Sequence, residues 1–178
     1  MSAVRAGPVS ELCLTTDFNS SFTTYVVQGD SLVNSFANPA GDESAIAVWD
    51  DVRTLGDDFG DTGSQYDLAG NLLAPNIYTN TTIGIGNFYD GTSDRTYNYT
   101  LAHNRGPFSV YRFDRDWSNG TELFTPTIRS SGITFDAVND SLWMLNTVGI
   151  GTGIQQYSLD GAFLSEFALG TPVPRGYV

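Results

Sequence analysis

The chain has 178 residues, and its composition excludes several classes of protein. An apolar content of 40%, with 11 Phe, 9 Tyr and 3 Trp, excludes a disordered chain, and the 19 Gly and 7 Pro favour short strands joined by turns. The net charge of −12, with Arg as every basic residue, argues against binding to nucleic acid or anionic lipid, because phosphate groups would be repelled. No apolar run of about 18 residues is present, so no membrane-spanning helix is expected.

A hairpin recurs along the chain and is the clearest pattern in the sequence. Each copy starts at a tyrosine, passes through a glycine-containing turn and continues as an apolar strand, as hairpins do. The tyrosines lie 41, 45 and 46 residues apart, a spacing typical of the four-stranded blades of a β-propeller. The four starting positions are Tyr25, Tyr66, Tyr111 and Tyr157.

The first predicted unit, residues 1–40, carries the weakest copy of the hairpin. Its opening segment, Met1–Ser10, lacks the basic and apolar regions of a signal peptide, which predicts an intracellular protein or one whose leader has been lost. Cys13 lies in an apolar run and is expected to be a buried, unreactive thiol. As the single cysteine, it forms no internal disulfide.

The second unit, residues 41–85, contains the best candidate for a metal site. Asp57, Asp58 and Asp61 lie within five residues of one another, between glycines that allow the backbone to curl. Calcium takes six to eight oxygen ligands, and a tight acidic loop supplies several of them, so these three residues are predicted calcium ligands. The alternative is an acidic hairpin loop without a metal, since the spacing does not match an EF-hand.

The third unit, residues 86–131, matches the fourth at an offset of 46 residues without a gap. In this alignment Asp90 and Asp94 correspond to Asp136 and Asp140, and both pairs are expected to cap the first turn of their units.

Trp117 lies in a predicted turn of the third unit and is the best candidate for an exposed aromatic that binds a ligand. Trp49 and Trp143 occupy strand positions and are expected to pack in the core. His103, the single histidine, is expected in a loop, and no serine lies in a Gly-x-Ser-x-Gly nucleophile elbow. No catalytic residue is therefore predicted.

The fourth unit, residues 132–178, predicts four strands, at Ile133–Asp136, Leu142–Asn146, Ile154–Leu159 and Phe163–Leu169. The runs at 132–143 and 155–164 resemble blades of secreted bacterial propeller proteins, many of which carry a PEP-type sorting signal, and of their NHL-like relatives. The resemblance is strongest over residues 86–170. It implies an extracellular or cell-surface location and, because related propellers often hold a cation in their channel, leaves calcium as a cofactor to consider.

Together these patterns predict an all-β chain, a single β-propeller domain over residues 1–178 with about four four-stranded antiparallel blades. Four blades are the lower limit for a closed ring. A closed monomer, a half-ring that self-associates through exposed blade faces and a fragment of a larger propeller all remain open. The favoured function is a non-enzymatic module that binds a protein or a glycan, and the alternatives are a calcium-dependent hydrolase or lactonase and a structural fragment.

Overall fold

The computed structural model describes residues 11–18, 21–28, 31–38, 43–56, 62–79, 87–103, 108–146 and 153–168. These residues form strands and turns only, so they include no helix that is long and apolar enough to cross a membrane. The strands are β1 (Glu11–Phe18), β2 (Ser21–Gln28), β3 (Ser31–Ala37), β4 (Ala45–Val48), β5 (Val52–Leu55), β6 (Thr62–Tyr66), β7 (Leu72–Thr79), β8 (Phe88–Ser93), β9 (Tyr97–His103), β10 (Phe108–Asp114), β11 (Thr121–Phe124), β12 (Ser130–Asp136), β13 (Ser141–Asn146), β14 (Gly153–Ser158) and β15 (Phe163–Ala168).

The strands form four antiparallel sheets in chain order. Sheet 1 contains β1 to β3, sheet 2 contains β4 to β7, sheet 3 contains β8 to β11 and sheet 4 contains β12 to β15. Neighbouring strands in a sheet are also neighbours in the sequence, because short turns join them. The predicted all-β class is confirmed, and the strands predicted for the last unit agree with β12 to β15 except that β12 begins earlier, at Ser130.

The sheets stack in chain order, and each contact between them buries side chains that one sheet alone would expose. The first strands β4, β8 and β12 contact one another in succession, which places them at the centre of the stack. Sheets 2 and 3 enclose a core that includes Leu55, Phe88 and Trp117. Sheets 3 and 4 enclose a second core with Leu101 and Leu142 at its centre. Repeat proteins gain their core in this way, from neighbouring units.

Sheet 1 differs from the others because its strands correspond to the second, third and fourth strands of a unit. The repeated tyrosine lies in the third strand of sheets 2, 3 and 4, and in sheet 1 it lies in β2. β1 contacts β4 much as the second strand β9 contacts the next first strand, β12. Among the residues that the structure describes, the first-strand position of sheet 1 is therefore unfilled. β1 and β12 also share no contact as extensive as those between consecutive sheets.

The structure changes the predicted alignment of the third and fourth units. Asp94 and Asp136 are equivalent, since each accepts hydrogen bonds from backbone N–H groups of the following turn. The turn after Asp136 is longer, with four residues before Ser141, so an alignment without gaps is wrong here. Asp90 lies within β8 and caps no turn. Its carboxylate instead accepts hydrogen bonds from the backbone N–H groups of Gly91 and Ile133, both at 2.8 Å.

Trp117 lies in the core with 1% of its surface exposed, which corrects the expectation of an exposed ring. The same turn joins the third and fourth strands of sheets 2, 3 and 4, and its fourth residue has a positive φ angle. That residue is Gly70 in sheet 2, Trp117 in sheet 3 and Gly161 in sheet 4.

The burial of Trp117 follows from the direction in which this turn position points. A Cβ atom on Gly70 would lie 2.3 Å from the ring of Phe36 in the preceding sheet, so only glycine fits there. In sheet 3 the indole fills the corresponding space, in one core cluster with Tyr78 and at 5.5 Å from the ring of Phe113. The left-handed backbone, with φ at 60°, costs about 1–2 kcal/mol, which burial of a large aromatic ring offsets.

Candidate functional site

One end of the stack carries most of the well-defined turns, and it is called the turn end here. Antiparallel strands reverse direction at each turn, so the turns from first to second strand and from third to fourth strand lie at this same end. The turns are rich in aspartate, which accepts hydrogen bonds from its own backbone. Among the described residues, the acidic residues at the turn end are Asp50, Asp51, Asp67, Asp94, Asp114, Asp116, Asp136, Asp140 and Asp160.

Trp49 is the exposed tryptophan of the turn end, with 42% of its surface accessible. The sequence predicts a strand position for it, but β4 ends at Val48 and Trp49 begins the turn to β5. Its backbone N–H donates a hydrogen bond to the carbonyl of Asp51 at 3.0 Å, which closes the turn and turns the ring toward solvent. The two tryptophans have therefore exchanged their predicted places, with Trp117 in the core and Trp49 at the surface.

A network of charged and polar groups holds the turn that carries Trp49. The carboxylate of Asp51 forms ion pairs with Arg53 and Arg115, each at 2.8 Å. Arg53 belongs to sheet 2 and Arg115 to the last turn of sheet 3, so the network joins the two sheets. The guanidinium of Arg115 also donates hydrogen bonds to the side chains of Ser93 and Asn98, at 3.0 and 2.5 Å. Three turns are thereby fixed relative to one another.

The network keeps Asp51 charged. Partial burial disfavours the carboxylate, but hydrogen bonds from Arg53 and Gln65 and the charges of Arg53 and Arg115 outweigh this effect and lower the pKa of Asp51 below its ordinary value. A charged group with this many donors is a rigid anchor for the turn.

Arg95 brings a cation to the ring of Trp49 from the neighbouring sheet. It lies in the turn between β8 and β9 with φ at 85°, an unusual conformation for a residue other than glycine. Its guanidinium carbon is 6.0 Å from the centre of the Trp49 ring, at the limit of a cation–π interaction. The turn end therefore presents an aromatic ring and a guanidinium close together, in a set of turns that are rich in aspartate.

A second polar cluster lies inside the stack, between sheets 1 and 2. The side chain of Glu43 is fully buried, and its Oε2 accepts a hydrogen bond from the hydroxyl of Tyr66 at 2.8 Å. Its Oε1 and the nearby Asn38 Nδ2 are both buried without a hydrogen-bond partner among the described residues. Burial raises the pKa of Glu43 above its ordinary value, although neighbouring polar groups, including Tyr66, Thr54 and Asn38, oppose the rise. Because Glu43 and Asn38 are both buried, this cluster is part of the core between sheets 1 and 2.

The predicted calcium ligands form a group of three acidic residues between β5 and β6 in the sequence. Asp57, Asp58 and Asp61 lie outside the described residues, so the calcium site stays a prediction. His103 is the last residue of β9 and not part of a loop, which corrects its predicted place. Its side chain and that of Cys13 lie outside the part of the chain whose side chains are described. Within the described residues, no three His, Cys, Asp or Glu side chains are grouped in a way that could hold a metal ion.

Neither a family model nor a curated protein matches the sequence, but solved structures share its fold. The structure of a nidogen/laminin complex contains a similar chain, with a TM-score of 0.57 at 14% identity over 89% of this chain and 60% of that one. TolB from Acinetobacter baumannii is similar with a TM-score of 0.55 at 13% identity, over 91% of this chain and 41% of that one. Both neighbours are β-propellers, which confirms the predicted propeller fold. The chain thus spans about three fifths and two fifths of the lengths of these two proteins, and the likeness says nothing specific to the secreted PEP-signal or NHL-like group.

Proposed function

We propose that this chain is a non-enzymatic propeller module that binds a protein partner at the turn end, with Trp49 as the main contact. The observation that carries the proposal is the exposure of Trp49 on a turn that Asp51, Arg53 and Arg115 hold rigid. Tryptophan and arginine are the residues that most often dominate the energy of a protein interface. A ring that is already fixed before binding loses little conformational entropy when it is covered.

The charge of the turn end favours a partner segment that carries basic residues. Asp50 lies next to Trp49, and the following turns contribute Asp94, Asp136 and further carboxylates. In the described residues, the two ion pairs both use Asp51, so other turn-end carboxylates, such as those of Asp94 and Asp136, accept hydrogen bonds within their turns but keep their negative charge without a paired arginine. An arginine or lysine of the partner would meet carboxylates around an aromatic face, and both interactions favour a cation.

A protein partner is preferred over a glycan because the exposed aromatic is accompanied by charged groups rather than by a broad platform of rings. The nidogen neighbour was solved in a complex with laminin, so a propeller of similar fold occurs in a complex between proteins. An extracellular or cell-surface location, which the resemblance implies, remains a prediction.

The proposal is tested by selecting random 12-residue peptides on the immobilised chain and measuring the binding of the best one by fluorescence anisotropy. We expect the selected peptides to be rich in Arg and Lys. We also expect Trp49→Ala to weaken their binding by about 30-fold, the size of a hot-spot contribution of about 2 kcal/mol. Binding should weaken as salt concentration rises, because screening reduces attraction between exposed charges.

Ile77→Ala is the matched control, because Ile77 is 49% exposed but lies on β7, away from the first turns. It should bind the selected peptide like the unmodified chain. Equal binding by the Trp49→Ala variant would contradict the proposal and move the binding surface elsewhere.

The predicted calcium site at Asp57, Asp58 and Asp61 is tested separately by thermal unfolding with millimolar calcium and with a chelator. Calcium at 100 times its Kd would add about 2.7 kcal/mol to the free energy of unfolding. The unfolding midpoint should then rise by roughly 5–10 °C. Loss of that rise in the Asp58→Asn variant would assign the ion to this loop, whereas an unchanged midpoint would leave the hydrolase or lactonase alternative without its metal.

A further inference from the structure

The two sheets at the ends of the stack expose faces that the repeat covers elsewhere. In sheet 3, the side chains of Tyr99, Leu101 and Val110 point toward sheet 4 and are fully buried by it. The strand pairing of Leu101 with Val110 matches that of Leu145 with Ile154 in sheet 4. The positions in sheet 3 therefore show how fully these side chains are buried when the next sheet covers them.

The outward face of sheet 4 holds the same kind of side chains without a covering sheet among the described residues. The apolar members of this trailing face are Trp143, Leu145, Ile154 and Phe167, and the polar Gln156 and Ser165 lie beside them. Trp143 is equivalent to Tyr99, because each donates a hydrogen bond to the turn aspartate of its own sheet, Asp136 and Asp94 respectively. Trp143, Leu145 and Ile154 are only partly buried, and Phe167 is 48% exposed.

Sheet 1 exposes its other face, which in sheets 2, 3 and 4 packs against the preceding sheet. The repeated tyrosines Tyr66, Tyr111 and Tyr157 are buried, by 93% or more of their surface, against the preceding sheet. Tyr25 lies on the same face of sheet 1, two residues before Val27 in β2, but is only partly buried. Leu32, on the same face through its pairing with Val27, is 60% exposed. Tyr25 and Leu32 are called the leading face.

We propose that two copies of this chain associate head to tail, with the trailing face of sheet 4 in one copy packed on the leading face of sheet 1 in the other. A trailing face packs on a leading face at every sheet contact within the chain, so the two exposed faces are complementary by repeat position. The apolar members of the trailing face suit the buried centre of a protein interface, and the polar Gln156 and Ser165 beside them are hydrogen-bonded to each other.

The association differs in kind from a contact between two identical patches. Each copy contributes its leading face to one contact and its trailing face to the other, which closes a two-membered ring if the rotation allows and otherwise extends to a longer assembly. This contact uses neither Trp49 nor the turn end. Its outcome is therefore separate from that of the proposed peptide binding.

The test measures the molar mass of the purified 178-residue chain by sedimentation velocity over a range of concentrations. We expect species of at least twice the chain mass of 19.3 kDa. Phe167→Glu places a charge in the trailing face and should reduce the mass to that of one chain. Leu164→Glu is the matched control, because Leu164 lies on the same strand with 50% exposure but at the irregularity between the paired faces, and it should associate normally.

Mixing two variants tests the head-to-tail arrangement directly. Tyr25→Glu should also be monomeric, because it alters the leading face. An equimolar mixture of Tyr25→Glu and Phe167→Glu retains one intact leading face and one intact trailing face, so it should recover a species of two chains. A monomeric unmodified chain, as expected if a further sheet of a longer protein covers these faces, would overturn the proposal, and so would folded Phe167→Glu that still associates or a mixture that stays monomeric. Circular dichroism of each variant establishes that it is folded.

Discussion

The contact between sheets 1 and 2 is equivalent in the repeat to the contact between sheets 3 and 4. The described side chains buried at the two contacts differ in their chemistry. Between sheets 3 and 4 the buried side chains are aromatic and aliphatic, with Tyr99 and Phe135 stacked at 6.0 Å between ring centres. Between sheets 1 and 2, the described side chains form an apolar cluster of Ile46, Val52 and Tyr66, and polar residues are buried beside it. These polar residues are Thr24, Asn38, Glu43, Thr54 and Ser64.

The comparison teaches that a stack of similar sheets need not be uniformly stable. Apolar burial contributes roughly 25 cal/mol for each Å² removed from water, whereas a buried polar group contributes little and is costly when unpaired. In a repeat protein, stability is the sum of the units and their contacts, so a weak contact opens first. Sheet 1 should therefore separate from sheet 2 before sheets 3 and 4 come apart.

Truncating one isoleucine in each contact should give the largest effects and test this order. Ile133 and Ile46 are similarly buried, the first between sheets 3 and 4 and the second between sheets 1 and 2. Ile133→Ala should lower the free energy of unfolding toward the upper end of about 2–5 kcal/mol, because its larger cluster cannot close the cavity. Ile46→Ala should fall toward the lower end. Urea denaturation measures both, and equal losses would mean that the two contacts are equally tight.

Removing one tyrosine hydroxyl at each contact should lower the free energy of unfolding by less than the isoleucine truncations. The loss should be larger where the hydroxyl donates to the buried Glu43. Tyr66→Phe leaves the buried carboxyl of Glu43 without its donor, so we expect a loss of about 1–3 kcal/mol. Tyr99→Phe removes a hydrogen bond of 2.6 Å to Asp94, which still accepts bonds from two backbone N–H groups of its turn, so its loss should be about 0.5–1.5 kcal/mol. Thermal unfolding of the two variants side by side measures the difference. A larger loss for Tyr99→Phe would show that the Glu43 cluster is satisfied in another way.

The pH dependence of stability compares the carboxyl group at each contact. Burial raises the pKa of Asp90, between sheets 3 and 4, from 3.8 to about 7, although backbone N–H groups oppose the rise. The folded state then holds a proton that the unfolded state releases, so this group's contribution to stability is fully present below pH 3.8 and is lost as pH rises through about 7. Burial raises the pKa of Glu43 too, so its contribution has the same sign.

Replacing each acid by its amide should therefore flatten the decline of stability with pH. Asp90→Asn removes the titrating group but retains an oxygen that accepts a hydrogen bond from Ile133. Unfolding midpoints between pH 4 and 8 should fall less steeply for Asp90→Asn than for the unmodified chain. Glu43→Gln should flatten the same curve. A decline that both variants leave unchanged would assign it to general repulsion among the excess acidic groups of the chain.

Much of the fold could be predicted from local patterns, and the site largely could not. Tyr157 and the turn at Gly161 predict a hairpin because turn residues and alternating apolar residues act over a few positions. The predicted offset of 46 residues between sheets 3 and 4 is wrong because the turn after Asp136 has two more residues than the turn after Asp94. Both turns begin with aspartate, so the type of residue does not reveal the difference in length. Glu43 gave no signal in the sequence, since an isolated glutamate is usually exposed.

The sequence by itself determined that the chain repeats a hairpin, forms antiparallel sheets and carries acidic turns, because each of these properties depends on neighbouring residues. Only the tertiary structure decided which tryptophan is exposed. Trp49 and Trp117 both lie in turns, and they differ in what the adjacent sheet places beside them: the core cluster with Tyr78 for Trp117, and solvent with Arg95 for Trp49. Contacts between units bring together residues far apart in the chain, so no local pattern specifies them.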